Sequence, residues 1–338
     1  MKKKLMALLL ASSMVFSLVG CGEKEYTLGM GIVVEDGSSE GTAQVDATVA
    51  TVVTDASGKI VSCKLDVAQT KMTIEGGQVQ AANEVDTRSK QQKGADYNMK
   101  TYGGAIAEWN EQADFFAKSV VGMTVDEVAN LATSFNVSGH EVAADEAILA
   151  GCTIGVNVFK EAIVKAMNDE YAKSFKASSF NHGLGVSTEV DSSTASASDE
   201  AEGAANMYSN FSAVVTDADG KILVDLIDEI QPKISFDTTG NVTAFNFEGS
   251  KKELKKHYGM VAYANAIAEW YQQAGTFEDY IVGKTSAEVT GIATEPKDEH
   301  HNIATSADPD LLAGCTISIT PLQEIIAIGI ADAEPVSK

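Results

Sequence analysis

The sequence predicts an α+β fold: two tandem homologous domains, each an antiparallel sheet followed by packed helices. Three observations carry this expectation. One unit occurs twice, because AIAEWNEQADFFAKSVVGMT around Trp109 matches AIAEWYQQAGTFEDYIVGKT around Trp270. VVTDASGKI at 52–60 matches VVTDADGKI at 214–222, Tyr97-Asn98-Met99 matches Tyr258-Gly259-Met260, and LAGCTI at 149–154 matches LAGCTI at 312–317. Four blocks in one order mark a duplication, and each copy is about the size of an ordinary domain. Within a copy the strand-like segments precede the helix-like ones, which favours α+β over a doubly wound sheet.

The elements follow from pattern. Val45 to Thr54 alternates, is rich in valine and threonine, and reaches Asp55-Ala56-Ser57-Gly58 before Lys59 to Val67. Two strands joined by a tight turn result, and Asp217-Ala218-Asp219-Gly220 repeats the turn. Ile106, Trp109, Ala113 and Phe116 then recur at helical spacing, as do Ile267, Trp270, Ala274 and Phe277. Thr124-x-x-Glu127 and Thr285-x-x-Glu288 have the capping-box form and start a second helix. Val156, Phe159, Ile163 and Ala166 mark a last helix, whose counterpart starts at Thr320 with Pro321. The repeats are expected at 26–172 and 175–338, with 187–204 an enlarged acidic, serine-rich loop inside the second.

Composition excludes several classes. With 48 acidic against 25 basic residues and a formal charge of −23, no phosphate-binding nucleic-acid surface is expected. The four cysteines show no Cys-x-x-Cys spacing, so neither a zinc ribbon nor c-type haem attachment is expected. Residues 1–20 read as a signal peptide, with three lysines before an apolar stretch too short to span comfortably. Leu18-Val19-Gly20-Cys21 resembles the lipobox of bacterial lipoproteins, which implies cleavage before Cys21, lipidation of its thiol and a tether over 21–25. Losing the three leader lysines takes the mature charge from −23 to −26. The expected location is the extracytoplasmic face of a bacterial membrane, with the membrane itself a partner through Cys21.

Catalytic sets are scarce. None of the five histidines repeats between units, and His300-His301 beside Asp298 and Glu299 reads as a solvated loop more readily than a metal site. No local motif supports Ser-His-Asp or Cys-His catalysis. Gly29-x-Gly31 lacks the third glycine and helix context of a dinucleotide fingerprint. Glu108 and Glu269 beside the tryptophans read as structural in preference to catalytic, whereas Tyr97 and Tyr258 suit equally stacking on an aromatic ligand and filling a gap between helix and sheet. No catalytic residue and no metal ligand is therefore assigned.

The repeated Leu-Ala-Gly-Cys-Thr-Ile remains. Asp310 to Ser318 (DLLAGCTIS) resembles the motif of the bacterial FMN-binding domain family, and Gly58-Lys59-Ile60 and Gly220-Lys221-Ile222 fit that family's early strand–turn–strand unit. The resemblance implies FMN esterified to a threonine hydroxyl by a flavin transferase, with redox proteins as further partners. It places the cofactor at Thr316 and Thr153, flanked by Gly314, Gly151, Cys315, Cys152 and Ser318. Thr316 ranks first because repeat one has Ala147 where the motif has Asp310 and Gly155 where it has Ser318. Independently of the family, glycine admits a phosphate and a following helix start offers free N–H groups. The expectation is a flavin-linked electron carrier, not a catalyst with its own substrate. The alternative is a non-flavin surface lipoprotein, binding a small ligand or structural, in which Leu-Ala-Gly-Cys-Thr only turns a loop into the last helix.

Overall fold

The computed structural model describes residues 22–191, 194–297, 302–305 and 307–336. The leader, Cys21, and the metal candidates Asp298, Glu299, His300 and His301 lie outside the described residues.

Repeat one opens with three long antiparallel strands, β1 (Lys24–Asp36), β2 (Thr42–Asp55) and β3 (Ile60–Glu75), and a short β4 (Gln78–Val79). Then come α1 (Lys90–Lys93), α2 (Met99–Gly103), α3 (Trp109–Ser119), α4 (Val125–Ala129), the hairpin β5 (Thr133–Phe135) and β6 (Glu141–Ala143), α5 (Glu146–Leu149), α6 (Asn157–Met167) and β7 (Lys173–Ala177). Repeat two retraces this order as β8 (Asn181–Val190), β9 (Gly203–Thr216), β10 (Ile222–Ile230), β11 (Lys233–Phe236), β12 (Val242–Asn246), α7 (Lys251–Leu254), α8 (Met260–Ala264), α9 (Trp270–Tyr280), α10 (Ser286–Thr290), β13 (Thr294–Pro296), β14 (Asn302–Ala304), α11 (Pro309–Leu312), α12 (Thr320–Asp332) and β15 (Glu334–Pro335). The α+β expectation holds.

The sheets run β4-β3-β2-β1-β7 and β12-β11-β9-β8-β15, with β10 and β11 pairing to successive stretches of β9. Together β10 and β11 do the work of the single strand β3. Both turns form as read: the Asp55 carboxylate accepts the Ser57 and Lys59 amides, and Gly58 takes φ 77°.

Strand alternation sorts each sheet into two buried faces. On β2, Ala50 and Val52 pack under α3 to α6, while Ala47, Val49 and Val53 face the other repeat. On β9, Val214 packs under α9 to α12, while Phe211, Ala213 and Val215 face repeat one. The layers are therefore helices, sheet, sheet, helices. The central core belongs to both repeats, and a second shared cluster joins Val45, Met72 and Ile74 to Met207, Ile234 and Phe236.

Several expectations shift. The boundary read at 172 to 175 falls within β7, a strand of the first sheet that pairs with β1 through Phe175 and Tyr26. Ile106 and Ile267 are not on the helical stripe; both helices start at the tryptophans, and both isoleucines are exposed. The stripe's polar member is a glutamine, Gln112 in α3 and Gln273 in α9. The acidic segment 187–204 begins on β8 and ends on β9, and Ala197 N–H donates to the Gly77 C=O of repeat one.

Gly29-x-Gly31 serves packing. A Cβ on Gly29 would sit 2.0 Å from the Ala166 carbonyl oxygen, and one on Gly31 2.2 Å from that of Ala162. Gly183 and Gly185 are equally close to the Gly329 and Ile325 carbonyls. These glycines let the last helix lie directly on the first strand of each sheet. Asp169 and Asp332 close the same joint, accepting the Met30 and Leu184 amides.

Candidate functional site

Helix α3 presents Trp109, Gln112, Ala113 and Phe116 to the core, and α9 presents Trp270, Gln273, Ala274 and Phe277. A fully enclosed glutamine needs partners for its amide. In repeat one Gln112 Oε1 accepts the Thr153 backbone N–H at 2.9 Å and its hydroxyl at 3.1 Å, while Nε2 donates to the Ala107 carbonyl at 2.9 Å. In repeat two Gln273 Oε1 accepts from Thr316 N–H at 2.8 Å and its hydroxyl at 3.1 Å, with Nε2 donating to Ala268 at 2.7 Å. The backbone partners fix which end of each amide is oxygen.

Both threonines are half-buried. Each stands three residues before the N-cap of the last helix, Val156 or Ile319, and neither cap supplies a side-chain acceptor to the first turn. The segment bridged by each glutamine carries exposed apolar residues at matching positions. Tyr102 and Tyr263 are 86% and 88% exposed, with Ile106 and Ile267 beside them. In repeat one Phe115 also lies against Gly151.

The remaining motif residues divide. Cys152 and Cys315 are buried in the helix-side cores, and burial pushes both thiols up to about 11, so neither is a thiolate at neutral pH. Cys63, Cys152 and Cys315 are all free thiols, so no disulfide links the repeats among the described residues. Gly151 and Gly314 sit where a Cβ would strike Phe115 or Thr276. Ser318 Oγ accepts the Asn302 amide and so is committed to β14. The aspartate that matters locally is not Asp310, which is exposed, but Asp308; it caps α11 through Leu311 N–H as Asp145 caps α5 through Ala147 N–H.

Glu108 and Glu269 are structural. Each carboxylate accepts the first two amides of the preceding short helix, Met99 and Lys100 or Met260 and Val261. Trp109 and Trp270 are core, with Lys90 over Tyr97 and Trp109 and Lys251 over Tyr258 and Trp270.

Sequence reasoning missed Gln112 and Gln273. Their signal was available: a polar residue on an otherwise apolar stripe, at the same place in both copies, three residues after tryptophan.

Two cavities lie elsewhere, along the seam of the repeats. One of about 200 Å³ is lined by Ile32, Lys165 and Asp169 of repeat one and Asp228 and Lys252 of repeat two. A smaller one of about 100 Å³ involves the corresponding residues with the repeats exchanged, including Asp66, Gln91 and Asp332. Burial pushes Asp66 and Asp228 up to about 6. Among the described residues no group of three or more His, Cys, Asp or Glu side chains forms a metal site, and no helix is long and apolar enough to cross a membrane.

No family model, curated protein or solved structure matches this chain.

Proposed function

We propose that this protein is a membrane-anchored extracytoplasmic lipoprotein that carries FMN through Thr316 and Thr153 and relays electrons between protein partners. The observation that carries the reading is the duplicated threonine–glutamine pair. In both copies a half-buried hydroxyl spends its one proton on an enclosed amide, which leaves its oxygen lone pairs without a donor among the described residues and able to form an ester. The donor set suits a phosphate as well, since the first-turn N–H groups of α6, and those of α12 apart from Pro321, which has none, lack a side-chain cap. Glu141 beside Asn157 makes the repeat-one helix start less favourable to an anion, whereas Asn302 stands at the corresponding place in repeat two. This agrees with ranking Thr316 first. Bound FMN would supply the redox chemistry, and the protein its placement.

The test is intact mass and visible absorption of the mature protein co-expressed with a flavin transferase. One or two FMN-sized adducts are expected, lost stepwise in Thr316→Ala, Thr153→Ala and the double variant. A colourless chain of unmodified mass, beside a control substrate that is flavinylated, removes the covalent-flavin reading. The seam cavities would then favour a lipoprotein that holds a small ligand between its repeats.

A further inference from the structure

We infer that Gln112 and Gln273 are positioning residues for modification of the two threonines; the inference rests on the flavin reading above. A glutamine oxygen can only accept, and Thr153 N–H and Thr316 N–H show that the oxygen faces the threonine in each copy. The hydroxyl must therefore donate its single proton inward to the amide oxygen. Its side-chain torsion is set by that bond, and the free lone pairs are what the threonine offers outward.

In the modification an Oγ–P bond forms to the flavin phosphate of a flavin dinucleotide donor. The phosphoanhydride bond breaks, the adenylate leaves, and the hydroxyl proton passes to a base of the transferase. Glutamine is no base at neutral pH. It aims the oxygen, and a fixed nucleophile reacts faster than a freely rotating one. The opposite amide hydrogen ties the same residue to Ala107 or Ala268, so the threonine and the exposed Ile106 or Ile267 segment are held in one register. Neither glutamine forms a cap or an ion pair. An alanine or leucine there would serve the apolar stripe of α3 or α9 equally well, yet both copies bury a polar side chain.

The duplicated chain provides its own control, since one repeat can be altered while the other reports transferase activity and folding in the same molecule. The experiment follows adduct formation at each threonine by peptide mass, using FAD and a flavin transferase, for wild type, Gln273→Met, Gln112→Met and Gln273→Glu. Each Met variant is expected to slow its own threonine at least tenfold relative to wild type, with the other threonine unchanged. Gln273→Glu separates aiming from packing. A protonated glutamic acid can accept from Thr316 and donate to Ala268 as glutamine does; an ionised one cannot donate. Either form still accepts the Thr316 hydroxyl, so the Thr316 rate should stay closer to wild type than in Gln273→Met, a rescue that a role confined to packing would not give. Unchanged rates in the Met variants, or a Gln273→Glu rate as low as that of Gln273→Met, overturn the assignment while leaving the flavin reading standing. Absence of any adduct on wild type removes both.

Discussion

At the scale of single residues, His182 shows how the repeats are pinned. It lies on β8 of repeat two, fully buried, with Nε2 3.0 Å from Thr51 Oγ1 and Nδ1 2.8 Å from Ser62 Oγ, both in repeat one. Burial, with Lys64 nearby, lowers its pKa to about 3 against 6.5 ordinarily. The folded state therefore keeps it neutral while the unfolded chain takes up a proton below pH 6.5. Its contribution to stability is complete above that pH and is lost toward pH 3, at about 1.4 kcal/mol per pH unit. Asp66 and Asp228 act oppositely: held near 6 in the fold and near 3.8 unfolded, they favour the fold as pH falls from 6 to 4. Comparing His182→Asn with wild type isolates the imidazole. From pH 7.5 to 5.5 the variant should gain about 1.4 kcal/mol on wild type in urea unfolding. An unchanged difference would mean that the imidazole does not titrate between the two states.

At the scale of elements, the short helices depend on caps supplied from outside themselves. Helices α2 and α8 have five residues each, too few to persist alone. Glu108 and Glu269 hold their first amides, while the same residues stand at the N-cap positions of α3 and α9. One carboxylate thus fixes the angle between two helices and carries Tyr263 and Ile267, or Tyr102 and Ile106, into place. Charge-assisted bonds are worth about 1.5–3 kcal/mol. Glu269→Ala should lower stability by about 2 kcal/mol, and Glu269→Gln by about half as much, measured by urea unfolding. A loss under about 0.5 kcal/mol for the alanine variant would show that solvent replaces the carboxylate.

At the scale of the whole molecule, each sheet has one face under its own helices and one against the other repeat. Buried charge reinforces the seam. Lys173 on β7 reaches Glu278 at 2.9 Å, and Glu278 is also bonded to Lys252 at 2.6 Å and to the Ile227 amide. Asp225 beside this network is pushed well above the ordinary carboxylate range by burial first and by Glu278 second. In repeat one the matching positions are Cys63, Gln91 and Ala117, and at that end of the seam Lys64 instead pairs across the repeats with Asp332 at 3.0 Å and Glu334 at 3.6 Å. A chain of residues 22–179 alone would expose Val49, Val53, Leu28 and Phe175 to water, an apolar face too extensive for a soluble monomer. It should give an oligomer or a species without fixed near-ultraviolet circular dichroism, while the full chain is folded. A monomeric single repeat with native-like spectra would contradict the shared core.

The duplication, the order of elements, the Asp-x-x-Gly turns and the Thr-x-x-Glu caps were all legible from the chain, because each rests on local periodicity or a local hydrogen bond. So were Trp109 and Trp270 as core residues. The threonines could be named as candidates from their motif, but Gln112 and Gln273 lie 41 and 43 residues before the groups they hold. Only the packing of α3 and α9 against the turns at Thr153 and Thr316 brings these pairs together. The same limit hid the union of the repeats. Strands buried on both faces read as apolar whatever covers them, and a pattern of alternation records that a face is buried without recording by what. Sequence alone determined two copies of one α+β unit; tertiary structure decided that they share a core, because burial of the inner sheet faces is satisfied only between them.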